Sequence, residues 1–411
     1  SNVKAAFLVS IMIRHRYSRA YGKNNGVSAD AEIHRRIIMK ILMVTMGLGI
    51  GGAETHIVEL SRALSRLGHE ITVASAGGIY VDELESCGVR HVTLPLNTKK
   101  PAALRQSYRG LCELISSGGF DIVHGHARIP NFILSRVRKK IPFRFVTTAH
   151  LDFKVNFIYR MITRWGERTL AVSEDIRDYL GREYGIPSSQ VDITINGIDM
   201  EKFSPDVDHS AVERELGLDP SHRKIVYISR IDHDRSAPAF HLCSIAQSLV
   251  RDYPDTDIVI VGAGDDFERL TDAAIEADKL AGRRAVVLAG GRADINRFTA
   301  MADIFIAVSR SALEAMSAGV PTVVAGNQGY LGIFSSEKLE TARSTNFCCR
   351  GCPDATPEQL ERDLRELLAM SPEQLREIGE YGRSVVREHY SAARMAQDYL
   401  DCYARLDPPV S

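Results

Sequence analysis

The sequence predicts an α/β protein of two doubly wound, Rossmann-like domains facing each other across a cleft. Three observations predict it. Strands and helices alternate from residue 39 onward, the strands are near-continuous apolar runs, and the pattern restarts after residue 205. Runs without polar alternation mark parallel strands covered on both faces. Strand–helix–strand order then implies right-handed crossovers and a parallel sheet.

The first strand is Ile41-Leu42-Met43-Val44-Thr45-Met46. A glycine-rich turn follows, then a helix over about Ala53–Leu67, with Ile57, Leu60, Ala63, Leu64 and Leu67 on one face. Gly68 ends it. Further strands are expected at 71–74, 89–94, 121–124, 145–148 and 169–173. Phe203-Ser204-Pro205-Asp206 reads as a linker. Beyond it, strands are expected at 224–229, 257–261, 285–288, 304–308 and 322–325, with a helix over 238–250. Thr356-Pro357-Glu358-Gln359 and Ser371-Pro372-Glu373-Gln374 each start a helix with a capping box. One last helix, about Val385 to Leu406, is long enough to lean back across the hinge. This gives an extension over 1–38, domains over 39–205 and 206–385, and a terminal helix over about 386–405 that packs on the first domain. In the extension, Ala5–Ile13 has the length of a signal-peptide core but no small-residue cleavage site, and no function is based on it.

Composition narrows the function. Hydrophobic residues are 45% and charged residues 25% of the 411, an ordinary globular profile. Fifty-one Lys+Arg against 52 Asp+Glu argue against a generally basic nucleic-acid binder. No apolar run approaches the ~20 residues that span a bilayer. Seven scattered cysteines fit a reduced, cytoplasmic protein. Cys348-Cys349-Arg350-Gly351-Cys352 has no second pair or nearby histidine to complete a zinc site, and reads as a loop carrying thiols.

Ligands of doubly wound sheets bind beyond the carboxyl ends of the strands, and the chemistry-bearing motifs fall there. Gly47-Leu48-Gly49-Ile50-Gly51-Gly52-Ala53-Glu54 fits either the approach of a phosphate to a helix start or a plain tight turn. Arg230 and Arg235 leave one strand five residues apart, as a diphosphate clamp or as two solvated arginines. Gly262, in Val261-Gly262-Ala263-Gly264, fits a turn beneath a nucleobase or a chain reversal. Ser311 opens the helix Ser311–Ala318, and Glu314 either caps it or accepts both hydroxyls of a ribose.

Taken together the chain resembles the retaining GT-B glycosyltransferases of family four. The resemblance covers about residues 39–405. It is carried by Met39-Lys40-Ile41-Leu42, Gly51-Gly52-Ala53-Glu54, Asp121-Ile122-Val123-His124-Gly125-His126, Asn196-Gly197-Ile198-Asp199 and Leu313-Glu314-Ala315-Met316 through Gly319-Val320-Pro321. It implies a first domain on the acceptor side and a second that binds a nucleotide-sugar donor, UDP-linked above all. Gly51 and Gly52 would admit the donor diphosphate, Arg230 and Arg235 neutralise it, and Glu314 hold the ribose. His150 would be the active-site histidine, with His124 and His126 on the acceptor side, one of them a possible core residue. The family needs no cofactor and no bound metal. One departure stands out: the first glutamate of the Glu-x7-Glu motif falls on Ile306, and Ser309 and Arg310 fill a shortened loop.

The implied reaction moves a hexose to an acceptor hydroxyl with retention, in cell-envelope polysaccharide or glycolipid synthesis. Arg136-Val137-Arg138-Lys139-Lys140 and the aromatic, basic stretch 153–165 fit either contact with the inner face of a membrane carrying a lipid-linked acceptor, or a solvated helix end. A soluble saccharide acceptor is the other option. A sugar-nucleotide epimerase, or a non-catalytic nucleotide-sugar-binding subunit, are rival readings.

Overall fold

A computed structural model describes residues 38–49, 51–151 and 155–406. The extension expected over 1–38 therefore lies outside them, Ile38 excepted.

The first sheet has seven parallel strands: β1 (Lys40–Val44), β2 (Glu70–Ser75), β3 (Arg90–Thr93), β4 (Ile122–Gly125), β5 (Phe145–Ala149), β6 (Arg168–Ala171) and β7 (Val191–Ile193). Their spatial order is β3-β2-β1-β4-β5-β6-β7. The second sheet holds β8 (Arg223–Ile228), β9 (Thr256–Val261), β10 (Val286–Gly290), β11 (Ile304–Ala307), β12 (Thr322–Gly326) and β13 (Gly329–Ile333), in the order β10-β9-β8-β11-β12-β13. Strand order reverses between β1 and β4 in one sheet and between β8 and β11 in the other, the two places where such folds open a crevice.

Residues of opposite parity bury on opposite faces, as parallel strands require. Ile41 and Met43 join one core cluster and Leu42 and Val44 another. In the second sheet Val226, Val259 and Phe305 face one way, and Ile225, Ile258 and Ile304 the other. Two strands escape the sequence reading. β7 is three residues long, and β13 (Gly-Tyr-Leu-Gly-Ile) runs antiparallel to β12 across a two-residue link, with glycines interrupting its apolar pattern.

Both expected capping boxes form, at Thr356 and Ser371. The single last helix does not. Pro372–Val385 ends in a widened turn over Val386–Tyr390, and a second helix, Ala392–Ala404, starts after Ser391. Ser391 is extended, and its hydroxyl accepts from the Arg394 N–H, so a cap interrupts what the apolar spacing reads as continuous. The Ala392–Ala404 helix packs on the first sheet, where Met395, Ala396, Tyr399, Cys402 and Tyr403 share a core with Ile41, Met43, Ile57 and Leu60.

The chain thus crosses between lobes twice, and the crossings touch. Ile198 N–H donates to the Tyr390 carbonyl (2.8 Å) and Ala392 N–H to the Ile198 carbonyl (2.9 Å). A Cβ on Gly197 would lie 2.7 Å from Ala392 Cα and 2.9 Å from Met395 Cβ, so only glycine fits there. Met395 is fully buried and its sulfur accepts from Gly197 N–H (3.2 Å). Met395→Ala is expected to destabilise the protein by about 2–5 kcal/mol through the cavity it leaves, read as a lowered midpoint in urea unfolding.

Candidate active site at the strand ends

Four histidines gather where β1, β4 and β5 end. His124 lies in β4, His126 follows it, His150 follows β5, and His56 projects from the Gly52–Arg66 helix. The rings pack directly: His124 on His126 at 4.1 Å, His126 on His150 at 5.5 Å, and His56 edge-on to His150 at 4.9 Å. His56, His124 and His126 are buried and His150 half-buried.

A directed hydrogen-bond chain fixes the proton on two of these rings. Asn196 Oδ1 can only accept, so His56 Nδ1 (2.9 Å away) carries the hydrogen. The neutral ring then accepts at Nε2 from Tyr399 OH (2.7 Å). Tyr399 oxygen in turn accepts from the Thr148 hydroxyl (3.0 Å), which leaves Thr148 to accept from His124 Nε2 (2.8 Å). His124 Nδ1 finally accepts from Tyr403 OH (2.7 Å). Both nitrogens of His124 are therefore spent inside the protein, so it is a core histidine, not an acceptor-side group. His126 Nδ1 lies 3.2 Å from His150 Nε2, while its own Nε2 is buried without a partner. Of the three histidines singled out in the sequence, His150 is the most accessible.

On the second lobe, Arg230 and Arg235 both lie in the β8 exit loop and are exposed. Arg230 is held by Asp232, with Nε donating at 2.8 Å. The same loop carries an Asp-x-Asp, Asp232 and Asp234. Among the described residues, however, no three His, Cys, Asp or Glu side chains gather to hold a metal. Gly262 adopts φ +152°, and a Cβ there would meet Ser229 O at 1.9 Å. It is thus required by the close approach of the β8 and β9 exits. Gly52 differs: a Cβ there meets nothing within 4 Å, while Gly51, the N-cap, is overlain by the Glu54 carboxylate. No side chain caps the Gly52–Arg66 helix.

The helix after β11 departs from expectation. It begins at Ser309, at φ +53°, so Ser311 lies within the first turn and not at its start. The Ser311–Glu314 capping box does not form. Glu314 is buried and accepts instead from Arg310 Nε (2.8 Å), one helical turn away. Burial raises the Glu314 carboxyl above its usual range, and Arg310 opposes that rise. Arg310 also reaches the Gly197 carbonyl (3.3 Å), on the crossing between lobes. Ile306 is fully buried in β11, so the position of the missing glutamate is structural.

Sequence reasoning missed His56, Tyr399, Tyr403 and Glu59, and gave Asn196 no role beyond its place in a motif. A signal existed: His56, Glu59 and Arg62 recur every three residues along a helix whose neighbouring stripe is apolar, and all three are buried.

Burial lowers all four imidazoles below 6.5, that of His56 to about 4, where the Asn196 bond partly offsets it. The unfolded chain therefore binds protons that the folded one refuses between about pH 6.5 and 4. The stability this contributes is complete above 6.5 and is lost as pH falls toward 4; His56 accounts for on the order of 3 kcal/mol of it. The melting temperature is expected to fall across this window, with a shallower slope for His56→Gln, as scanning calorimetry would measure.

Comparison with known proteins gives this geometry a family. The Glycosyltransferase Family 4 model matches residues 50–202 and the Glycosyl transferases group 1 model residues 209–385. A phosphatidyl-myo-inositol mannosyltransferase of Mycolicibacterium smegmatis is 27% identical over 53% of this chain and 57% of its own length. A D-inositol 3-phosphate glycosyltransferase of Rhodococcus jostii is 28% identical over 53% of each chain. The match thus spans little more than half of these two relatives. Among solved structures, a glycosyltransferase of Rickettsia africae superposes with a TM-score of 0.69 at 19% identity, covering 89% of this chain and 98% of that one. Anabaena HepE in complex with UDP and glucose gives 0.65 at 15% identity, over 90% and 100%. The chain belongs to the GT-B glycosyltransferases of family four.

Proposed function

We propose that this protein transfers a hexose from a nucleoside-diphosphate sugar, UDP-linked, to an acceptor hydroxyl with retention of configuration. One observation carries the reading. At the strand-order reversal of the second sheet, the β8 exit offers Arg230 and Arg235, and the β11 exit offers a helix start without a side-chain cap, followed by the buried Glu314. Cations and helix N–H groups suit a diphosphate, and a carboxylate suits a ribose diol. The open space at Gly52 supports approach of the same diphosphate to the first-lobe helix.

In the reaction the sugar–phosphate bond breaks and the electron pair stays on the leaving diphosphate, where Arg230 and Arg235 stabilise it. The acceptor oxygen bonds to the anomeric carbon on the same face, and its proton passes to a diphosphate oxygen. No protein nucleophile and no metal is required. His150, kept neutral by burial, serves as a hydrogen-bonding group for the sugar or acceptor.

A phosphate-bearing lipid acceptor at the inner face of a membrane fits the first lobe. A groove of about 780 Å³ is lined by Tyr108, Phe132 and Leu104 together with Arg105, Arg136, Lys139, Lys140 and Arg164, with no acidic residue. Leu151, Phe157 and Met161 are exposed. Among the described residues no helix is long and apolar enough to cross a membrane, so contact would be peripheral. Relatives named for transfer to phosphatidyl-myo-inositol and inositol 3-phosphate support an acceptor of this chemistry, and with it a cell-envelope role.

A thermal-shift series with UDP-, GDP- and ADP-sugars tests the donor. A UDP-sugar is expected to raise the melting temperature, and Arg230→Ala and Arg235→Ala each to lower kcat/KM about tenfold, the loss of roughly 1.4 kcal/mol of charge-assisted bonding. Binding without turnover on any acceptor would instead identify a non-catalytic binding subunit.

A further inference from the structure

Arg310 spans the lobes without completing its last contact. Nε serves Glu314, Nη1 the Gly197 carbonyl, and Nη2 faces Glu59 Oε1 at 3.8 Å, beyond hydrogen-bond range. Arg310 Nη2 and Glu59 Oε1 are both buried, and neither has a hydrogen-bond partner. The other oxygen of Glu59 accepts from Arg62 Nη1 (3.1 Å). A buried donor and acceptor left unmade across a gap of about 1 Å is an unfavourable arrangement that a small movement would relieve.

The position of the pair gives that movement a meaning. Glu59 sits on the Gly52–Arg66 helix, whose start has no side-chain cap, and Arg310 on the Ser309–Ser317 helix, one turn before Glu314. We propose that Arg310 and Glu59 are positioning residues that make a closing contact between the lobes when a donor engages Glu314. This rests on the reading of Glu314 as the ribose ligand. In this structure Arg310 Nε is bonded to Glu314. Once two ribose hydroxyls take the Glu314 oxygens, the guanidinium is released toward Glu59, and one cation passes between two carboxylates with no change in net charge. The surrounding charges are Arg62 beside Glu59, Asp199 on Arg62, and Lys202 near both carboxylates. Closure then follows donor binding, and an acceptor meets the diphosphate only in the closed form.

Glu59→Gln tests this in the full chain, with UDP as the probe and small-angle scattering as the readout of compaction. The variant is expected to melt near the wild-type temperature, because Arg62 keeps Asp199 and Glu83, and to bind UDP within about threefold. It loses the UDP-induced compaction and about tenfold in kcat, with little change in donor KM. Should it melt early, Arg310→Gln is read for the same split of kcat from KM. Wild-type compaction and turnover in Glu59→Gln overturn the proposal. A wild-type protein that binds none of UDP, GDP and ADP fails the ribose reading and this one together, whereas nucleotide binding that is lost in Glu314→Gln while Glu59→Gln closes normally overturns the closing contact alone.

Discussion

The two chain passages between the lobes are hydrogen-bonded to each other, and the rest of the molecule is arranged around that joint. Gly197 is pressed against Ala392 and Met395, and the Ile198 backbone is bonded on both sides to the returning passage at Tyr390 and Ala392. A joint of two paired passages resists twisting more than a single linker would, while leaving few bonds to bend. It also explains Asn196-Gly197-Ile198-Asp199 as a unit. Asn196 anchors the histidine chain, Gly197 permits the close approach, Ile198 pairs with the second passage, and Asp199 accepts from Arg62 (3.0 Å) and from Arg66 (3.3 Å). Burial alone would raise the Asp199 carboxyl. The Glu201 backbone N–H, Arg66 and Arg62 hold it below its usual range, so it stays charged.

The joint also decides where the residues of the candidate site come from. Tyr399 and Tyr403 belong to the Ala392–Ala404 helix, yet they terminate hydrogen bonds that begin on the Gly52–Arg66 helix and on β4. The histidines nearest the cleft are oriented by a segment that reaches the first lobe only because the second passage runs beside the first. Loss of packing on the terminal helix would therefore disturb ring orientation at β4 and β5 as well as the core beneath them.

Much of this was legible beforehand, and the exceptions have physical causes. Buried parallel strands announce themselves as apolar runs, which is why β1, β8, β9 and β11 were readable, while β13, edged by glycines, was not. Local caps at Thr356 and Ser371 were readable because every group involved lies within four residues. Ser391 was not, since its capping interrupts an apolar periodicity that continues on both sides. His124, His126 and His150 stood out as residues, but only the adjacency of β4 and β5 stacks them. The spacing of Ser311 and Glu314 suited a cap and a ribose ligand equally; neither reading anticipated that Arg310, filling a shortened loop, would take the carboxylate first.

The charges buried beside the joint need a reason, because an apolar contact of similar size would be at least as stabilising. Arg62 alone touches Glu59, Glu83 and Asp199, and Lys202 also bonds Glu83 (2.6 Å). Apolar surfaces slide over one another with gradual changes in energy. Ion pairs with fixed hydrogen-bond geometry are instead made or broken over about an ångström. A junction of this kind gives the lobes a small number of preferred settings. That suits a reaction in which water must be kept from an activated sugar until the acceptor is in place.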